Sequence, residues 1–185
     1  MNFEELWNSK EVECIQNKDE FEVFYETVRA LKPKTIIEIG VEQGGTLRFW
    51  IEALEPHGKV VGVDASQHVF QHVARHYDIN SFPDKRAILV KGNSQHQDTI
   101  NNVKQYVADG EADFLFIDGS HEYPEVGQDL TLYSPFVKKG GLIAFHDIHP
   151  GCPGVVRTWE EMKDQLDNPR VLPKRFLGIG IGYKK

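Results

Sequence analysis

The sequence predicts an α/β fold: a doubly wound sheet of seven strands, five of them parallel and two forming a C-terminal antiparallel hairpin. Two observations predict it. Short apolar runs that do not alternate with polar residues recur along the chain, as in strands covered on both faces. Between them lie stretches whose apolar residues repeat every three or four positions, as in helices that cross back over a parallel sheet.

The elements follow in order. Phe21, Phe24, Val28 and Leu31 mark a helix that the breaker Lys32-Pro33-Lys34 ends ahead of a first strand, Thr35–Gly40. Leu47, Trp50, Ile51 and Leu54 mark the next helix, and Val60–Asp64 and Ala87–Val90 the next two strands. Ile100, Val103 and Val107 recur ahead of a fourth strand, Phe114–Asp118. Gly140-Gly141 announces a fifth, Leu142–Phe145, followed by a helix through Val156, Trp159, Met162 and Leu166. The tail reads as two short strands, Arg175–Gly178 and Ile179–Tyr183, joined tightly through glycine.

At 185 residues the chain has room for one domain, an N-terminal helical segment over 1–30 and a core over 31–185. An apolar fraction of 40% and 11% aromatic residues exclude a disordered chain. Lys and Arg number 21 against 28 Asp and Glu, a net charge of −7, which argues against nucleic acid or an acidic membrane as partner. Cys14 and Cys152 are too few for a disulfide scaffold, and the acidic, amphipathic start is unlike a signal peptide. The expectation is a reduced, cytoplasmic protein.

Open α/β sheets bind ligands beyond the carboxyl ends of their strands, so the residues there carry the argument. The first strand runs into Glu38-Ile-Gly40-Val-Glu42-Gln-Gly44-Gly45-Thr46, a glycine turn that feeds a helix and lets a ligand approach the backbone. Asp64 ends the second strand, placed to accept hydrogen bonds from ribose hydroxyls. Gly92-Asn93-Ser94 follows the third, Asp118-Gly119-Ser120-His121 the fourth, and His146-Asp147-Ile148-His149 the fifth. The glycine spacing is not that of a dinucleotide turn, and no P-loop occurs. Glu38, Glu42, Asp64 and Asp118 crowd one rim, which repels a diphosphate and suits a sulfonium cation. That favours S-adenosylmethionine over NAD or ATP.

The loop Glu38–Thr46, Asp64, the segment Phe116-Ile-Asp118-Gly-Ser-His121-Glu-Tyr123 and the segment Gly140–Asp147 together resemble the class I S-adenosylmethionine-dependent methyltransferases. The nearer likeness is to the branch with macrolide-sugar O-methyltransferases and cephalosporin-biosynthesis proteins. Gly154–Met162 and Gly178–Tyr183 share in it, so that it covers roughly residues 30 to 185. The resemblance implies a Rossmann-like sheet with a reversed last strand. It sets Gly40 and Gly44 against the methionine part of the cofactor with Glu38 nearby, Asp64 on the ribose, and Asn93 or Ser94 by the adenine.

A second site follows from adjacency. If strands four and five are neighbours, about 4.8 Å apart, then Asp118, His146 and Asp147 meet at one point. Two carboxylates and an imidazole with open positions suit Mg²⁺ or Mn²⁺, which would lower the pKa of an acceptor hydroxyl, with His121 in reach of its proton. The resemblance implies the same roles for Asp118, His121 and Asp147; the family often has a carboxylate where this chain has His146.

The expected activity is O-methylation of a small hydroxylated, sugar-like acceptor. The rivals are a nucleotide-dependent oxidoreductase and a binding module without turnover. A small cap on the acceptor side leaves room for a second subunit, hence a homodimer. His149 reads as a turn residue, and His68, His72 and His76 as the wet face of a helix. Phe3, Leu6, Trp7, Phe21, Phe24 and Tyr25 could cover an acceptor pocket, form a dimer surface or pack the core.

Overall fold

The computed structural model describes residues 1–9, 14–66, 86–172 and 177–185. Asn2 opens α1 (Phe3–Trp7) through a reciprocal capping box with Glu5, and Asn17 caps α2 (Lys18–Ala30) by accepting from the Glu20 N–H. There follow β1 (Thr35–Ile39), α3 (Gly45–Ala53), β2 (Lys59–Asp64), β3 (Arg86–Lys91), α4 (Gln97–Val103) and β4 (Ala112–Ile117). The chain continues through α5 (Glu125–Tyr133), β5 (Val137–Phe145), α6 (Pro153–Met162), β6 (Leu166–Val171) and β7 (Gly180–Lys184).

The strands form one seven-stranded sheet in the order β3-β2-β1-β4-β5-β7-β6, parallel except for β7, which runs antiparallel to both of its neighbours. This is the expected class and strand count. The order reverses between β1 and β4, so the crevice above that pair is where an α/β sheet binds its ligand.

Alternation with a period of two sorts the interior into two layers. Ile36, Val60, Phe114, Phe116, Leu142 and Ala144 face a core shared with α1, α2 and α3. Ile37, Ile39, Val61, Leu115, Ile117, Ile143 and Phe145 face the other, shared with α4, α5 and α6. Phe3, Leu6, Phe21, Phe24 and Tyr25 are buried in the first layer, so they belong to the core and not to a pocket wall or dimer surface. Phe24 and Trp50 meet Phe114 and Phe116 edge-on or tilted, the arrangement aromatic quadrupoles favour.

The C-terminal expectations need correction. The helix after β5 ends at Met162, a single 3₁₀ turn spans Lys163–Gln165, and Leu166 begins β6. The hairpin therefore pairs 166–171 with 180–184. Arg175 and Phe176 lie outside the described residues, while Leu177, Gly178 and Ile179 are not in a strand. The misleading signal is Leu166, which is in helical phase with Trp159 and Met162 but is buried by the sheet. Asp167-Asn168-Pro169-Arg170 looks like a turn because Asn168 is left-handed and the ladder is irregular there, both tolerated at a sheet edge. Helix α5 was not among the periodic stretches read above, although Val126, Leu130 and Tyr133 bury one face of it. His68, His72 and His76 lie outside the described residues.

Candidate active site

Parallel pairing brings the site together. The ladder continues one residue past each strand: the Gly40 N–H donates to Val63 O at 2.9 Å, Asp118 N–H to Ile39 O at 2.8 Å, and His146 N–H to Ile117 O at 3.1 Å. Gly40, Asp118 and His146 thus stand side by side at one level of the sheet. Asp118 and His146 also continue the even-numbered face, the side that carries α3 and the N-terminal segment.

Gly40 sits at φ 86°, and a Cβ there would lie 2.0 Å from the carbonyl oxygen of Asp118, so only glycine fits. Gly44, at φ 81°, starts α3 without a side-chain hydrogen-bond cap, and Gly45 and Thr46 of that helix end line the cleft. Asp64 ties this loop down. Its Oδ2 accepts from the Val41 and Glu42 N–H groups at 2.9 and 3.1 Å, and its Oδ1 from the Ser66 N–H at 2.7 Å.

Two clefts meet here. One, of about 260 Å³, is lined by Asp64, Gly92, Asn93, Ser94 and Gln95. The other, of about 460 Å³, is lined by Ile15, Gln16, Thr46, His121, His146 and Asp147. Gly40, Glu42, Asp118 and Gly119 border both. Asn93 and Ser94 stand in the smaller cleft, where Gln95 bridges the Ser94 hydroxyl at 2.8 Å and the buried Asp129 carboxylate at 2.7 Å.

In the larger cleft Nδ1 of His146 lies 3.1 Å from Oδ1 of Asp118 and 3.0 Å from Oδ2 of Asp147. Burial disfavours the charged ring, but the two carboxylates outweigh it and push the His146 pKa up to about 10. Burial alone would raise the Asp147 carboxyl; the His146 hydrogen bond and charge, with His121 and His149 behind them, hold it below the usual range. Asp147 is itself left-handed, at φ 60°, which aims its side chain inward. Its Oδ2 also meets His121 Nε2 at 2.9 Å, and its Oδ1 lies 3.5 Å from His149 Nε2. The residues expected to meet, Asp118, His121, His146 and Asp147, do meet.

Glu38 does not stand on the rim. It is fully buried between β1 and α3, its Oε1 accepting from the Thr46 hydroxyl and from the Trp50 indole N–H at 2.9 Å. Burial pushes its pKa up to about 8 despite those bonds, so at neutral pH it is largely an uncharged acid. The acids lining the two clefts are Glu42, Asp64, Asp118, Glu125 and Asp147. Gln16, which sequence reasoning missed, donates through Nε2 to Asp118 Oδ2 at 3.0 Å. No spacing rule links two residues so far apart. Cys152 Sγ lies 3.6 Å from His121 Nδ1, a pairing that no motif spacing announces.

Comparison with known proteins bears on the family and the fold. Residues 37–148, which run from within β1 to just past β5 and include the strand-end residues above, match the methyltransferase domain family. The uncharacterized protein R132 of Acanthamoeba polyphaga mimivirus is 29% identical over 159 residues, covering 79% of this chain and 66% of that protein's length. The S-adenosylhomocysteine-bound methyltransferase PaMTH1 of Podospora anserina superposes with a TM-score of 0.72 at 18% identity, over 100% of this chain and 88% of that one. The mycinamycin-pathway methyltransferase MycE, solved with Mg, S-adenosylhomocysteine and mycinamycin VI, gives 0.62 at 18% identity, over 100% of this chain and 54% of that one. The resemblance drawn from the glycine loop and the strand-end motifs is therefore borne out, and the chain belongs to the methyltransferase domain family, with the class I fold of the S-adenosylmethionine-dependent enzymes.

Proposed function

We propose that this protein methylates a hydroxyl group of a small, sugar-like acceptor, with S-adenosylmethionine as donor. The observation that carries the reading is the meeting of two clefts at Gly40 and Asp118, one lined by Asp64, Asn93 and Ser94 and the other by ionisable side chains. The first suits a nucleoside: carboxylate and amide acceptors for ribose hydroxyls, and a glycine turn against the methionine part. Acids along the shared border favour a sulfonium and oppose a pyrophosphate.

Asp118, His146 and Asp147 offer two carboxylate oxygens and a ring nitrogen, all within 4.8 Å of one another, a donor set that fits Mg²⁺ or Mn²⁺. The charged His146 ring now balances the two acids, so its proton must leave before a cation can take its place, and cation affinity rises with pH. When bound, the ion would lower the pKa of an acceptor hydroxyl. MycE, crystallised with Mg and a macrolide, supports both the ion and the acceptor class.

The remaining work falls to this chain's own groups. The clefts hold donor and acceptor in line, a positional effect worth up to several kcal/mol. The acceptor oxygen attacks the methyl carbon, the carbon–sulfur bond breaks, and its electron pair stays on sulfur, leaving a neutral thioether. With Nε2–H of His121 donated to Asp147, Nδ1, which faces the Cys152 thiol at 3.6 Å, is the atom that would take the acceptor's proton, and Asp147 then stabilises the imidazolium. Radiolabelled methyl transfer to a panel of sugars and glycosides, with and without EDTA, tests the reading. Label in an ether product, lost with EDTA and restored by Mg²⁺ or Mn²⁺, is expected. Transfer that survives EDTA removes the cation, and no transfer to any hydroxylated acceptor overturns the assignment.

A further inference from the structure

At the mouth of the larger cleft a thiol, an imidazole and a carboxylate converge. Cys152 Sγ lies 3.6 Å from His121 Nδ1, and Asp147 completes a set whose ligand atoms are all within 4.8 Å of one another. Bond lengths of about 2.3 Å to sulfur and about 2.0 Å to nitrogen, at a tetrahedral angle, place two zinc ligands about 3.5 Å apart. The observed separation of thiol and ring therefore needs little rearrangement, while Asp147, seated at the other ring nitrogen Nε2, joins the same ion once the ring turns. We propose that His121, Cys152 and Asp147 form a binding site for a thiophilic divalent cation of the Zn²⁺ class, distinct in ligand chemistry from the oxygen-rich group around Asp118.

The backbone prearranges this set. Cys152 immediately precedes α6, and its N–H donates to His149 O at 2.9 Å, fixing the turn that carries the thiol. Gly154, in the first turn of α6, packs on the loop of His121: a Cβ there would lie 2.3 Å from His121 O and 2.6 Å from Tyr123 N. Only glycine lets the helix start come this close, and that approach sets Sγ beside the ring. His121 is half exposed, with a side-chain exposure of 50%, so its ring can turn toward an ion arriving from solvent. Binding displaces the thiol proton to solvent and forms a metal–thiolate bond, with water free to fill the fourth position.

Zn²⁺ on Nδ1 of His121 would also block the atom assigned to proton transfer. That consequence rests on the proposed methyl transfer; the site does not. The test uses Co²⁺ as a spectroscopic stand-in, added to the purified protein without donor or acceptor. One equivalent is expected to produce a thiolate-to-cobalt charge-transfer band that Zn²⁺ abolishes. Neither the Asp118 group nor the histidines at 68, 72 and 76 contain sulfur, so neither can give that band. Cys152→Ser should remove the band and His121→Ala should weaken Co²⁺ binding by more than the roughly 10- to 100-fold that loss of an outer partner costs. Cys14→Ala should keep it. No band in the wild-type protein, or a band that survives Cys152→Ser, overturns the proposal.

Discussion

The two halves of the cleft are built by different means. On the β2 and β3 side the walls are largely backbone: Gly40 pressed against Asp118, and a loop whose N–H groups are held by Asp64. On the β5 side the walls are ionisable side chains, with His146 between Asp118 and Asp147 and His121 beyond them. The first half offers a ligand shape and fixed dipoles; the second offers groups that titrate and that, on the proposed reading, hold a cation. Substitutions on one side should therefore leave the other side's ligand largely untouched, except at the shared border.

The largest effect is expected at that border. Asp118 touches both clefts, so Asp118→Ala should lower turnover by about 100-fold or more and abolish any response to added cation. Steady-state rates with and without Mn²⁺ check this. Gly40→Ala combines a left-handed backbone with a clash against Asp118 O, and should cost about 3 kcal/mol of stability while abolishing S-adenosylhomocysteine binding. Thermal unfolding and calorimetry read the two losses.

His121→Ala should lower turnover by about 100-fold while the dissociation constant of S-adenosylhomocysteine stays unchanged, since the ring borders only the larger cleft. Asp64→Ala should do the reverse to binding. It frees three backbone N–H groups and, on the proposed reading, removes a ribose acceptor, and a weakening of about 10- to 100-fold is expected by calorimetry.

The last effect leaves both clefts untouched and concerns Glu38. Its folded pKa of about 8 lies above the ordinary 4.5, so its contribution to stability is complete below pH 4.5 and falls away as the pH rises through 8. Glu38→Gln cannot ionise, so its melting temperature relative to wild type should rise steadily across that window. A constant difference would show that Glu38 is ionised in the folded protein.

What was legible in the sequence divides along the same line. Strands buried on both faces announce themselves as unbroken apolar runs, and glycines in a strand-to-helix turn announce a backbone approach. The Asp118, His146 and Asp147 cluster followed from one further assumption, that β4 and β5 are neighbours, which they are. Glu38 was misplaced because it shares the face of Asp118 and His146 but lies within β1, two residues short of their level, where Thr46 and Trp50 of α3 cover it. Gln16 and Cys152 were hidden because they act through tertiary contact alone. Leu166 shows the limit of periodicity, since a residue in helical phase can still open a strand when the sheet offers it burial.

The central claim is that the glycine-turn half of the cleft binds an adenosyl sulfur compound. Titration of the purified protein with S-adenosylhomocysteine, in parallel with NADH and ATP, tests it most directly. The account predicts one molecule bound per chain, weakened by Asp64→Ala and indifferent to His121→Ala, with no heat from either phosphate-rich nucleotide. Silence with S-adenosylhomocysteine alongside saturable binding of NADH or ATP would contradict it.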